Sequence, residues 1–155
     1  MGPIAGDRIV AMYGFDKGVV GTFGTHRAKH GVSSRFGLQI YGSKGVIQLR
    51  TGSLSDTYFL ADPSWFPGKS KVNWQPITSA GLNKPEPLKD NSLVQGNIWI
   101  VQDLMKAIEE DRQPKGSMYD GRAALEMILA VYESHRRKGP VDLPLMNRKH
   151  PLTLL

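Results

Sequence analysis

Apolar and polar residues alternate through the first half of the chain, and a helical period replaces that alternation in the second. From Asp7 to Phe15, Ile9, Ala11, Tyr13 and Phe15 fall on one face, which predicts a strand. Asp16-Lys17-Gly18 is a short hairpin loop with glycine placed for a left-handed position. Val19 to Arg27 returns as a second strand, with Val19, Gly21 and Phe23 sharing a face. Residues 28–34 are a polar connection. The runs Phe36 to Tyr41 and Val46 to Leu49 are rich in β-branched, aromatic and aliphatic residues. The Gly42-Ser43-Lys44-Gly45 tetrad between them supplies positive φ angles for a tight reversal, so this stretch reads as a hairpin in the middle of an antiparallel sheet. Thr57 to Ala61 is a shorter strand. Asp62 to Gly68 is a loop carrying Trp65 and Phe66 as exposed aromatics. Val72 to Ile77 is a further strand that Pro76 marks as an edge, and the stretch from Thr78 to Asp90, with Pro85 and Pro87, reads as an irregular crossover.

After Asp90 the period changes. Ser92-Leu93-Val94-Gln95 fits a capping box that opens a helix to about Glu110. Val94, Ile98, Val101, Met105 and Ile108 form its buried stripe, close packing is expected at Gly96, and Pro114 stops the helix. Ser117-Met118-Tyr119-Asp120 is a second capping box, with a helix running to about Lys138 and burying Leu125, Ile128, Leu129 and Tyr132. Its basic last turn, Arg136-Arg137-Lys138, suits the negative end of the helix dipole, and Gly139 ends it. Val141, Leu143 and Leu145 alternate as a last short strand, again marked as an edge by Pro144.

Strands first and two helices later define an α+β class: an open, mostly antiparallel sheet with helices on one face. The other sheet face, with Gly14, Gly24 and Gly37 beside Met12 and Tyr41, is flat and poor in charge. A surface of that kind is suited to cover by another subunit or domain. At 155 residues the chain reads as a single domain, 1–155, large enough for a core.

Composition narrows the chemistry. The chain has no cysteine, which excludes disulfides, thiolate catalysis and zinc–thiolate sites and is compatible with a cytoplasmic location. No apolar run approaches the length of a membrane span. The net charge of +6 invites a nucleic-acid reading, but no aromatic stacking platform is interleaved with the charges, so no nucleic-acid partner is expected. Six basic residues (Lys17, Arg27, Lys29, Arg35, Lys44 and Arg50) fall between Lys17 and Ser55 without an acid. They either create a positive field suited to a small anion or are solvated loop charges.

No complete active site stands out. Gly18, Gly21 and Gly24 are spaced G-x-x-G-x-x-G but lie within a strand with no helix after them, unlike a dinucleotide fingerprint. Gly42-Ser43-Lys44-Gly45 lacks the spacing of a phosphate loop. His26 and His30 have no nearby carboxylate, so no metal site is expected there. Ser134 and His135 are successive on a helix and cannot pair as nucleophile and base.

Three stretches in order resemble one family: Asp7-Arg8-Ile9-Val10-Ala11; Phe15-Asp16-Lys17-Gly18-Val19-Val20-Gly21-Thr22; and Leu38 through Ile47 with its Tyr41-Gly42-Ser43-Lys44-Gly45 turn. The end continues the likeness, in Gln102-Asp103-Leu104 through Ala107-Ile108, Asp120-Gly121-Arg122-Ala123-Ala124-Leu125-Glu126, and Pro140-Val141-Asp142-Leu143-Pro144-Leu145. Together they are similar to the C-terminal domain of the glucose–fructose oxidoreductase / inositol dehydrogenase (Gfo/Idh/MocA) family.

The resemblance implies a two-domain NAD- or NADP-dependent oxidoreductase acting on a sugar, inositol or related polyol. Its N-terminal Rossmann domain would hold the cofactor and a Glu-Lys-Pro lysine, and a Gly-Gly-x-x-x-Asp-x-x-x-His segment would supply the acid/base histidine. Neither is in this chain; Lys84-Pro85 follows Asn83 and does not take the lysine's role. The chain therefore reads as the sheet domain of such an enzyme, with no catalytic residue of its own and no cofactor expected to bind it alone. The residues just before the third strand would face the sugar, here Ser33, Ser34 and Arg35, with Arg27 and His30 across the loop. An arginine there could give paired hydrogen bonds to a carboxylate or vicinal hydroxyls. A homodimer or tetramer through the sheet face is the expected assembly. The alternative is a non-catalytic scaffold or interaction module that keeps only the sheet domain.

Overall fold

The computed structural model describes residues 8–26, 37–50, 56–64, 70–90 and 92–154. It divides into two compact units, Met1–Lys29 with Asp111–Leu155, and His30–Glu110.

In the first unit, β1 (Arg8–Gly14) and β2 (Val20–His26) form an antiparallel hairpin with Ala11 opposite Phe23 and Tyr13 opposite Gly21. Its reversal is a 3₁₀ turn over Asp16–Gly18, closed by the Phe15 N–H donating to the Val19 carbonyl at 2.8 Å. Gly18 takes the expected left-handed conformation at φ 76°, and Lys17 shares it at φ 62°. Alternation along β1 is as read: Ile9, Ala11 and Tyr13 are half-buried, whereas Val10 and Met12 point outward. The inward face meets α2 (Met118–Arg137), where the Tyr13 hydroxyl donates to the Met127 carbonyl at 3.2 Å.

The Ser117 capping box opens α2 as predicted, with the Asp120 N–H donating to Ser117 Oγ at 3.2 Å and the Ser117 N–H to Asp120 Oδ2 at 3.2 Å. Its inward stripe differs from the expectation. Ala130 and Glu133 are buried and Leu129 and Tyr132 half-buried, but Leu125 and Ile128 are exposed. The helix ends at Lys138, which takes the left-handed conformation (φ 54°) in place of Gly139. Beyond it, the short strand expected at Val141, Leu143 and Leu145 does not form. Pro144, after a cis peptide bond, has no N–H to give, and the Leu145 N–H donates to a side-chain carboxylate on α2 in place of a ladder. A 3₁₀ turn over Pro151–Leu154 follows.

The second unit holds a five-stranded antiparallel sheet in the order β3 (Gly37–Gly42), β4 (Gly45–Arg50), β5 (Thr57–Leu60), β6 (Gln75–Thr78) and β7 (Gly81–Leu82). The predicted β3–β4 hairpin is present, with Ile40 opposite Ile47, but it stands at one end of this order, not in its middle. Of its turn glycines only Gly45 has a positive φ, +151°. Pro76 lies in β6 between two partners. Its carbonyl accepts from the Asn83 N–H at 2.8 Å, so its missing donor is turned to the side where two-residue β7 has already ended. β7 itself replaces part of the expected crossover. Thr78 and Gly81 pair across a two-residue turn, and Thr78 Oγ1 donates to the Gly81 carbonyl at 3.2 Å.

α1 (Leu93–Glu109) starts at Ser92, whose hydroxyl oxygen accepts from the Gln95 N–H at 3.1 Å. Asp90 fixes that cap by accepting from the Ser92 N–H at 2.8 Å. The helix ends before Pro114, with Asp111 left-handed at φ 49°. Its predicted stripe of Val94, Ile98, Val101, Met105 and Ile108 is exposed throughout; Ala107 is buried, with Gly96, Trp99 and Asp103 half-buried on the same face. A Cβ at Gly96 would meet nothing within 4 Å, so no close approach explains that glycine.

The α+β class and the antiparallel pairing are therefore as read. The strands, however, form two sheets among the described residues, and the small-residue face divides with them. Met12, Gly14 and Gly24 lie on the two-stranded sheet, Gly37 and Tyr41 on the five-stranded one. Alternation identifies a strand but carries no information about its lateral partner.

Candidate functional site

The residues expected to face a sugar, Arg27, His30, Ser33, Ser34 and Arg35, lie outside the described residues, as do Trp65 and Phe66. The structure describes the strand ends that flank the first group, His26 closing β2 and Gly37 opening β3.

The first unit holds a concavity. β1 forms one side, the last turns of α2 the other, and residues 140–143 a third wall around about 760 Å³. Arg8, Tyr132, His135 and Asp142 bring polar groups to it. Tyr13 and Ser134 also line it, but both hydroxyls are already engaged. Tyr13 donates to Met127, and burial pushes its phenol above the ordinary value. Ser134 Oγ donates to the Gly139 carbonyl at 2.8 Å, so this serine closes the helix end and is not an activated nucleophile.

Three carboxylates that sequence reasoning passed over organise the local structure. Glu133 is buried on α2 and accepts two bonds from Arg136 (Nε and Nη2, both 2.8 Å) and one from Arg137 Nε at 2.8 Å. The Arg136 hydrogen bonds hold its carboxyl below the usual range. Two members of the predicted basic last turn, Arg136 and Arg137, thus also pair with an acid of the same helix. Its i, i+3, i+4 spacing was the available signal. Asp62, buried at the end of β5, accepts from the Ser70 hydroxyl and from the Ser64 N–H at 2.8 Å, which lowers its pKa in that order of effect. Asp62-Pro63-Ser64 is an Asx turn readable from its residue types. Glu126 Oε1 accepts from the Leu145 N–H at 2.7 Å and from Arg148 Nη1 at 2.6 Å. Nothing in the sequence announces that contact, because its partners are about twenty residues away.

No cluster of three or more metal-ligating side chains occurs among the described residues. Gly18 closes the β1–β2 turn, and Gly21 and Gly24 are ladder residues inside β2 and not a strand-to-helix turn, so these glycines do not fit the phosphates of a dinucleotide. No described helix is long and apolar enough to cross a membrane.

Antiparallel strands followed by two capped helices make an α+β domain. Residues 2–143 match the family described as the oxidoreductase family, C-terminal alpha/beta domain, and the chain belongs to that family. Neither the curated proteins nor the solved structures gave a match to it.

Proposed function

We propose that this chain is the substrate-binding and oligomerisation domain of an NAD- or NADP-dependent oxidoreductase acting in the cytoplasm on a sugar, inositol or related polyol. The observation that carries the reading is the family match over 2–143, nearly the full chain. Hydride transfer is assigned to a nucleotide-binding domain joined to this one. Arg27, His30, Ser33, Ser34 and Arg35 lie between β2 and β3, and their donors and acceptors suit vicinal hydroxyls. The outward face of β1–β2 supports self-association. Val10, Met12 and Val20 are 86%, 74% and 61% exposed there, an apolar patch that a second subunit could cover.

The test has two arms. Calorimetry of the 155-residue chain with NADH and NADPH is expected to show no binding in the micromolar range, because the phosphate cradle is lacking; micromolar binding overturns the division of labour. The coding region ahead of Met1 is expected to encode a strand–GxGxxG–helix unit, and the joined protein to oxidise at least one member of a sugar and inositol panel with NAD or NADP. A genuine translation start at Met1, with its own ribosome site and no such unit ahead of it, would overturn the reading and favour a scaffold.

A further inference from the structure

The groove beside α2 has one wall of a different kind from the others. β1 and α2 are regular elements, whereas residues 140–143 belong to an irregular segment with no ladder or helix to hold them. Two sets of contacts fix that segment. At its start, Ser134 grips Gly139 twice, accepting the Gly139 N–H at its carbonyl (3.2 Å) and donating from Oγ to the Gly139 carbonyl (2.8 Å). At its far side, Glu126 Oε1, two turns earlier on the same helix, receives the Leu145 N–H and the Arg148 guanidinium. Both contacts are charge-assisted, and the Glu126 side chain is only 14% exposed, so the acceptor is sheltered from competing water.

Beyond the latch the chain turns back onto α2. Leu145 is buried and Pro151 fully buried. The turn carrying Pro151 is closed by His150, whose carbonyl accepts from Thr153 Oγ1 at 2.7 Å and from the Thr153 N–H at 2.9 Å. Residues 145–154 lie beyond the family match. No hydrogen bond is described between residues 140–142 and the rest of the unit, so the polar contacts that fix this stretch lie at its two ends, with half-buried Val141 packed between them.

We propose that residues 140–154 are a strap, pinned at Gly139 and latched on Glu126, which closes the third wall of the β1–α2 groove and swings from it when the latch opens. The pivot lies just after Gly139, since the serine grip immobilises everything before it. Opening costs the two Glu126 bonds and the burial of Leu145 and Pro151, while the helix keeps its own ladder and its Glu133 ion pairs. The strap is thus a local unit whose stability is set below that of the helix it rests on.

Amide hydrogen exchange and electron-spin distance measurements on the 155-residue chain test this. Glu126→Ala is expected to speed exchange at Leu145 by about tenfold or more, the effect of losing a bond to a charged group, while Ala130, Glu133 and Gly139 keep their rates. Arg148→Ala, which leaves the helix untouched, is expected to speed Leu145 several-fold in the same pattern, and it decides the matter if Glu126→Ala does not fold. The chain has no cysteine, so Arg8→Cys and Asp142→Cys carry the only spin labels. Their separation is expected to lengthen and broaden when either latch substitution is added. Unchanged exchange at Leu145, acceleration shared equally by all of α2, or an unmoved spin–spin distance would each overturn the strap.

Discussion

A methyl group at position 45 would stand 2.2 Å from the Leu60 carbonyl oxygen and 2.8 Å from the Phe59 ring. The backbone there has φ +151°, a conformation that L side chains rarely adopt. Gly45→Ala must therefore strain its own backbone and push β4 from β5. It is expected to lower stability by about 2–3 kcal/mol, read as a fall in the urea midpoint with little change in slope. The tetrad's glycines were visible in the sequence, but the residue-scale reason was not. The turn needed neither Ser43 nor Lys44 at positive φ, and the controlling contact comes from a strand fifteen residues away. Glu133 teaches the converse. Its partners are three and four residues on, so the ion pairs were implicit in the spacing.

At the scale of elements, caps were read more reliably than faces. Ser92 and Ser117 open α1 and α2 where their hydroxyls predict, because an N-cap is a local bargain between one side chain and the next three residues. The inward face is a tertiary decision. α1 carries Ile100 and Leu104 outside the stripe of Val94, Ile98, Val101, Met105 and Ile108, so apolar residues circle much of the helix and period alone does not select a side. Gly96, mid-turn on α1 with open space around its Cα hydrogen, retains only the entropic cost of glycine. Gly96→Ala is expected to raise stability by about 0.5–1 kcal/mol, seen as a higher thermal midpoint. A loss of stability would mean that a neighbour crowds that position.

Across the whole molecule, one electrostatic feature recurs. In the unit His30–Glu110, hydrogen bonds from Ser70 and Ser64 lower the pKa of Asp62, those from Ser79 and Leu88 lower Glu86, and those from Ser92 lower Asp90. In the other unit, Ser117 lowers Asp120 and Arg136 leads in lowering Glu133. Each of these groups is a weaker base folded than unfolded, so in acid the unfolded chain binds more protons and stability rises with pH. Their contribution is complete above the ordinary carboxylate range and is lost as pH falls through the depressed values. Urea midpoints measured from about pH 6 down to about pH 3 are expected to drop steeply below about pH 4. A flat profile would show that these bonds do not persist in solution.

The sequence by itself determined the α+β class, the strands of both hairpins, the start of each helix and the family. All of these follow from alternation, period and capping within a few neighbouring residues, or from motifs in a fixed order. Only the tertiary structure decided that the described strands form two sheets, which helix faces turn inward, and that the segment after α2 is tied to Glu126 instead of pairing as a strand. Those outcomes depend on which distant groups compete for the same N–H or the same apolar surface. Leu145 is the plainest case: its alternation with Val141 and Leu143 suits a strand, but a carboxylate nineteen residues earlier takes its amide.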